Sequence, residues 1–149
     1  MKKIIAILSA VLLSLNVAQA QEFEFTHKGQ TLKYKVTGEK EVSISRQIET
    51  LSDDVEIPSE VIFEKKKYKV THIGKYAFEY CDSLQSIVIP NSVTEIGYRA
   101  FSGCKNLERV VMSNSVTKIN NNAFENCSSL TDVVFSENLT SIGQYAFRG

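Results

Sequence analysis

The chain has 149 residues, of which 43% are hydrophobic and 23% are charged, with 17 basic and 17 acidic side chains. It is too apolar to be disordered and long enough for one domain, and its balanced charge argues against a nucleic-acid-binding protein. The low contents of glycine and proline, 7 and 2 residues, exclude a collagen-like fibre.

The first twenty residues have the pattern of a secretory signal peptide. Two basic residues, Lys2 and Lys3, precede an apolar run from Ile4 to Leu15, and Ala18 and Ala20 then form a signal peptidase site. The run is too short for a membrane-spanning helix, and no apolar stretch of about 18 residues follows it. We expect cleavage after Ala20 and a secreted or cell-surface mature chain without a transmembrane segment.

Residues 21–54 predict an antiparallel sheet. Apolar residues alternate with polar ones in three short segments: Phe23 and Phe25, then Leu32, Tyr34 and Val36, then Val42 and Ile44. Such alternation is typical of half-buried strands, and Gly29 and Gly38 mark the turns between them. Because an array of repeats needs a cover over its first coil, we expect this sheet to be an N-terminal β cap.

Residues 55–72 predict a degenerate first repeat that contains a hairpin. The segment 55–58 copies a strand found later in the repeats, and the apolar segments 61–63 and 68–70 flank a polar turn. The tip of this turn is Lys65-Lys66-Lys67. These lysines could form a basic binding patch, although three lysines at a turn are usually just solvated.

From residue 73 onwards the sequence repeats every 23 residues, in units 73–95, 96–118, 119–141 and a partial unit 142–149. The main columns are Ile73, Ile96, Ile119 and Ile142; Ala77, Ala100, Ala123 and Ala146; Phe78, Phe101, Phe124 and Phe147; Cys81, Cys104 and Cys127; and Leu84, Leu107 and Leu130. One such unit cannot close a core around itself, whereas stacked units can. The period therefore predicts a solenoid in which like side chains form ladders.

Each unit combines two kinds of local pattern. Phe78, Cys81 and Leu84 recur at every third position, which predicts a helical or 3₁₀ turn. The β-branched segment 87–89 predicts a short strand, and such strands in successive units would form a parallel sheet with a rise of about 4.8 Å per coil. We expect an α/β solenoid.

The pattern Ile96-Gly97-x-x-Ala100-Phe101-x-x-Cys104-x-x-Leu107-x-x-Val110-x-Met112 resembles the BspA-like class of leucine-rich repeats. The resemblance covers residues 73–149 closely and 55–72 loosely. Asn120 departs from it by replacing a glycine. The resemblance implies an exported or surface-attached protein that serves adhesion or protein binding, with a host extracellular or cell-surface protein as partner.

The sequence ends within a repeat, directly after the buried-type residues Ala146 and Phe147. Three interpretations stay open: a fragment, a truncated reading frame, or a chain that stacks on a partner. We expect the last coil to be frayed or to self-associate in solution.

No arrangement of residues predicts catalysis, a metal or a cofactor. His72 lies nine residues before Cys81, but Cys104 and Cys127 occupy the same column without a histidine, and a nucleophile would not recur once per coil. The odd cysteine count argues against a disulfide framework, so we expect free thiols that pack as small hydrophobes. Neither of the two histidines, His27 and His72, has a cysteine or carboxylate at the spacing of a metal site.

The exposed side of the repeat strands is the candidate protein-binding site. Val88, Val111 and Val134 form an outward stripe, and the columns beside it are Ser86, Arg109 and Asp132, and Gln85, Glu108 and Thr131. Valine could instead be present only because it favours a pleated sheet. The stripe covers on the order of 200 Å², well below the usual area of about 800 Å² per partner, so we expect weak binding by this chain alone. The alternative function is a structural repeat fragment without a ligand of its own.

Overall fold

The computed structural model describes residues 21–48, 51 and 53–149 of the chain, so the predicted signal peptide lies outside the described residues. Three strands come from the N-terminal region: β1 (Glu22–His27), β2 (Gln30–Gly38) and β3 (Glu41–Ile44). Three further strands precede the regular repeats: β4 (Asp54–Glu56), β5 (Glu60–Phe63) and β6 (Lys66–Ile73). The repeats contribute β7 (Ser86–Ile89), β8 (Glu95–Ile96), β9 (Arg109–Met112), β10 (Lys118–Ile119), β11 (Asp132–Val134) and β12 (Ser141–Ile142).

The strands form two sheets on different sides of the solenoid. The larger sheet has the order β1-β2-β3-β6-β8-β10-β12, with β5 paired to β6 as an antiparallel hairpin. The smaller sheet has the order β11-β9-β7-β4, and all its strands are parallel. Both sheets keep the repeat in register. In the larger sheet Ile73, Ile96, Ile119 and Ile142 pair in sequence, and in the smaller sheet Ile87, Val110 and Val133 do so.

Like side chains lie on like side chains in the interior. The rings of Phe78, Phe101, Phe124 and Phe147 stack in one column, with successive centroids 5.1, 4.9 and 5.0 Å apart and planes within 6° of parallel. These distances are close to the spacing of about 4.8 Å between strands, because the sheets set the rise of each coil. The column belongs to one continuous cluster of buried residues that runs from Leu32 to Ala146.

The segment before each long strand consists of separate turns, and the described residues contain no helix. Cys81 N donates to Phe78 O at 3.1 Å and Leu84 N donates to Cys81 O at 3.2 Å, which accounts for the three-residue period. Tyr76 and Tyr80 have φ angles of 59° and are left-handed. A left-handed residue cannot continue a right-handed helix, so these i→i+3 turns stay separate and do not join into a helix.

These turns are joined between coils by hydrogen bonds. Tyr76 N donates to Tyr98 O at 3.0 Å, and Phe78 N donates to Ala100 O at 2.7 Å. The same bonds link each later coil to the next, up to Phe124 N and Ala146 O at 2.7 Å. The turn segments therefore stack with a regular hydrogen-bond ladder of their own, as the strands do.

Asn120 fits where the repeat pattern has glycine. At the equivalent Gly97, an added Cβ atom would lie 2.7 Å from Ile73 O, which is too close without a shift of the backbone. Asn120 Nδ2 donates to Ile96 O at 2.8 Å and to Glu95 Oε1 at 2.6 Å. The Asn120 side chain thus makes two hydrogen bonds at a position where the preceding unit has glycine.

Strands β1–β3 continue the larger sheet beyond the repeats. β3 pairs in parallel with β6 through a register shift, so that Ile44 lies beside Ile73. Beyond β3, Gln47 N donates to Ala77 O at 2.7 Å. This bond corresponds to the one between two full coils in which Phe78 N donates to Ala100 O. Residues 44–47 therefore take the place of a preceding coil at both the strand and the turn.

Candidate functional site

The outer face of the smaller sheet carries two parallel rows of side chains. Register places Glu56, Val88, Val111 and Val134 in one row and Asp54, Ser86, Arg109 and Asp132 in the other. Ile87, between the two rows, and Ile89, beyond the row of Val88, point inward and are buried. This arrangement follows from the alternation of side chains along each strand. We call the row of Val88, Val111 and Val134 the valine face.

The three valines form a continuous exposed stripe. Val88 is 42% exposed and Val134 is 44% exposed, while Val111 between them is half-buried. In-register pairing places one valine on each coil, at the spacing of neighbouring strands. The structure therefore brings the three residues together as one aliphatic surface.

The second row consists of polar side chains that are paired with one another. Arg109 Nη1 lies 3.2 Å from Asp132 Oδ2, and Ser86 Oγ donates to Asp54 Oδ1 at 2.6 Å. The charged side chains of this row are about half exposed, and exposed pairs of this kind contribute little to stability. Glu108, at the predicted border, is also exposed, and its carbonyl accepts from Thr131 N and Asp132 N.

Lys28 extends this site, although the sequence patterns do not indicate it. It lies in the turn after β1, and its Nζ atom is 2.5 Å from Glu56 Oε2 at the end of the valine row. The hydrogen bond from Lys28 lowers the pKa of Glu56. No motif connects two residues so far apart in the chain, since only the folded N-terminal sheet brings the turn to this edge.

The cysteines occupy the interior, as free thiols. Cys104 and Cys127 are buried and Cys81 is half-buried. Burial raises the pKa of all three thiols, to about 11 for Cys81 and to about 12 for Cys127. Because the thiolate is the nucleophilic form, these environments disfavour covalent catalysis.

The histidines do not accompany the thiols. His72 Nδ1 lies 2.9 Å from Thr71 Oγ1, and His72 Nε2 lies 3.9 Å from Glu95 Oε2 on the larger sheet. His27 lies at the end of β1. Among the described residues, no group of three or more histidine, cysteine or carboxylate side chains could hold a metal ion. In the same part of the chain, no helix is long and apolar enough to span a bilayer.

The leucine column completes the ladders predicted from the repeat. Leu84 and Leu107 are buried, whereas Leu130 is half-buried, as is Phe147 in the last coil. The side chains become more exposed toward the last coil because each buried column needs a neighbouring coil on both sides.

Solved structures of bacterial leucine-rich repeat proteins are similar to this chain. A leucine-rich repeat protein from Bacteroides ovatus is 34% identical with a TM-score of 0.73, and the match covers 85% of this chain and 33% of that one. A leucine-rich cell surface protein from Faecalibacterium prausnitzii is 31% identical with a TM-score of 0.70, and the match covers 84% of this chain and 34% of that one. A leucine-rich repeat protein of T. pallidum is 26% identical with a TM-score of 0.68, and the match covers 78% and 64% of the two chains.

This chain thus spans about a third of the length of the B. ovatus and F. prausnitzii proteins. A search of curated proteins gave no significant match. The family of BspA type leucine-rich repeat regions matches residues 58–149 with six copies of the repeat. The match covers more than half of the chain and confirms the resemblance predicted from the repeat pattern. The chain belongs to the BspA-type leucine-rich repeat family.

Proposed function

We propose that the chain is an exported, non-catalytic module that binds a protein at the cell surface through the valine face. The observation that carries the proposal is the in-register row of Val88, Val111 and Val134, which keeps aliphatic surface exposed beside the buried inward column of Ile87 and Val110. The polar row beside it gives the surface a charged border, as protein interfaces commonly have. Export rests on the predicted signal peptide, and a surface location on the F. prausnitzii relative, which is described as a cell surface protein.

The proposal includes a cap function for strands β1–β3. Leu32, Tyr34, Val42 and Ile44 are buried against the interior of the solenoid. Without such a cover the first coil would expose its apolar side, which repeat arrays avoid by means of capping segments. The cap also supplies Lys28 to the border of the valine face.

The valine face is tested by binding to a panel of purified extracellular and cell-surface proteins. We expect the triple variant Val88→Glu, Val111→Glu and Val134→Glu to lose at least about tenfold in affinity, because each charge would be desolvated at the interface. The matched control Thr37→Glu, Ser59→Glu and Ser128→Glu adds the same charge at exposed positions elsewhere and should bind as the parent does.

Both triple variants are first compared with the parent by circular dichroism and thermal unfolding. Equal binding by the parent and both variants would show that the valine face is not the binding site. No binding by the parent to any protein of the panel supports the alternative of a spacer without a ligand. The small area of the stripe favours that alternative, since specific interfaces usually need about 800 Å² per partner.

A further inference from the structure

The turn segments of successive coils form a surface distinct from both sheets, which we call the turn face. It comprises residues 74–80, 97–103, 120–126 and 143–149. Four of the six tyrosines of the chain lie on it: Tyr76, Tyr80, Tyr98 and Tyr145. Tyrosine and arginine are the residue types most enriched among those that dominate the energy of protein interfaces. By this criterion the turn face is richer in anchor residues than the valine face, whose stripe is aliphatic.

Cations are held against these rings. Lys75 Nζ lies 5.0 Å from the ring centre of Tyr76 and 5.6 Å from that of Tyr98, and the two rings meet edge to face at 5.4 Å. The guanidinium of Arg148 lies 4.8 Å from the ring centre of Tyr145. Such contacts fix flexible cationic side chains at the surface, which reduces the entropy lost on binding.

The carboxylates on this face lie beneath the cations. The side chains of Glu79 and Glu125 are only 9% and 4% exposed. Arg46 lies 3.4 Å from Glu79, and Arg99 lies 3.9 Å from Glu79 and 3.8 Å from Glu125. The buried Nε atom of Arg99 has no hydrogen-bond partner among the described residues. Arg148 also pairs with Glu125, so each arginine of this surface has a glutamate beneath it. The exposed charges are those of the cations and of Asp82 at the border.

A groove of about 530 Å³ lies at one end of the turn face. Residues 46–48 and residues 79–83 line it, and its apolar walls are Ile48 and Tyr80, which are 76% and 63% exposed. The ring of Tyr80 lies on Gly103, where an added Cβ atom would be 2.4 Å from Tyr80 Cδ1. The absence of a side chain at Gly103 thus allows the ring its position in the groove.

We propose that the turn face is a second protein-docking surface, which takes an acidic segment of a partner protein. An apolar side chain of that segment enters the groove between Ile48 and Tyr80, and flanking carboxylates meet Arg46 and Arg99. Charge complementarity selects this partner, because the face offers exposed guanidinium groups and keeps its own glutamates beneath them. The proposal is independent of the valine face and holds whether or not that face binds.

The test is selection from a phage-displayed library of random peptides on the immobilised chain. We expect enrichment of peptides that combine Asp or Glu with an aliphatic or aromatic residue. Tyr80→Ala and Arg46→Gln should each weaken their binding by about tenfold or more, as hot-spot residues do. The valine-face variant Val88→Thr should bind the selected peptides as the parent does. Thermal unfolding of each variant checks that the fold is retained. Should Arg46→Gln prove unstable, Lys75→Gln removes the same single charge from this face without breaking the Arg46–Glu79 pair.

Several outcomes would overturn the proposal. They are enrichment of neutral or basic peptides, failure to enrich any peptide, and equal binding of acidic peptides by the parent and by folded Tyr80→Ala. Binding of hyaluronate to the turn face in place of acidic peptides would also overturn it, in favour of an acidic polysaccharide. None of these outcomes bears on the valine face, whose variants are tested separately.

Discussion

The Sγ atom of Cys104 lies 2.9 Å from the carbonyl oxygen of Phe78, one coil before it in the stack. Cys127 repeats the contact with Phe101 at 3.1 Å. The cysteine column therefore does more than fill space, because each buried thiol gives a backbone carbonyl of the preceding coil a further hydrogen-bond donor. This hydrogen bond explains why the column has cysteine, although alanine or valine would also be small enough to fit.

Thiol reactivity tests this assignment. In the native chain we expect dithionitrobenzoate to modify Cys81 slowly and to leave Cys104 and Cys127 unmodified, because burial raises the pKa of each thiol. The rate at Cys81 should increase as the pH rises toward its pKa of about 11. The variant Cys81→Ser should show no native reaction, while urea should release every remaining thiol. Rapid reaction of all three thiols in the folded chain would contradict the structure.

Among the buried columns, the phenylalanine ladder should contribute most to the free energy of unfolding. Phe101 is stacked on both sides, so Phe101→Ala should lower the free energy of unfolding by about 3–5 kcal/mol. Phe147 has a stacked neighbour on one side and is half-buried, so Phe147→Ala should cost less. Urea titration of both variants measures the difference. Equal losses at the two positions would show that the rings do not act as a stack.

Repetition explains how much of this fold can be predicted from the sequence. A residue such as Phe101 can be placed on Phe78 and under Phe124 because the 23-residue period and the sheet spacing leave one register for stacking. The turn conformation cannot be predicted in this way. Tyr76 and Tyr80 adopt left-handed conformations although they are not glycine, so no local feature of the sequence indicates that the predicted helix is interrupted. Lys28 at the valine face is also unpredictable, because its position depends on how a sheet outside the repeat docks.

Asn120 offers a test of how a departure from the repeat is accommodated. Asn120→Gly would restore the family pattern but remove the hydrogen bonds to Glu95 and Ile96. We expect a loss of about 1 kcal/mol in the free energy of unfolding, the usual net value of such bonds. The equivalent change in another unit is not available, since Gly97 is already glycine. Lys105→Gly, at an exposed turn position, therefore serves as the control for backbone flexibility. A more stable Asn120→Gly variant would show that the hydrogen bonds do not offset the crowding.

Glu95 should make stability depend on acid pH. Partial burial raises its pKa, but the hydrogen bonds from Asn120 and Lys118 outweigh this, so the pKa of Glu95 lies below its ordinary value of 4.5. A carboxyl group whose pKa is lower in the folded state contributes stability above the unfolded value and loses it as the pH falls. Glu95→Gln should therefore reduce the difference in melting temperature between pH 7 and pH 3. The exposed control Glu39→Gln should leave that difference unchanged, and a similar effect of both changes would contradict a specific role for Glu95.

The last coil should be the least protected part of the 149-residue polypeptide. Asn122 N and Phe124 N donate to Gln144 O at 2.9 Å and to Ala146 O at 2.7 Å, whereas the equivalent amides of Tyr145 and Phe147 make no hydrogen bond among the described residues. In dilute solution we expect rapid hydrogen exchange at Tyr145 and Phe147 and slow exchange at Asn122 and Phe124.

The same coil leaves β11 and β12 as sheet edges, with the apolar residues Phe135 and Ile142 exposed beside them. Exposed edges of this kind pair with other chains, so we expect self-association at high concentration. Sedimentation velocity over a concentration series measures it, and Ile142→Lys should suppress it because lysine blocks edge pairing. The control Thr37→Lys adds a lysine at an exposed position of β2, which is paired on both sides, and should not. A chain that stays monomeric at every concentration, with amides protected through Phe147, would show that the last coil is stable without a neighbour.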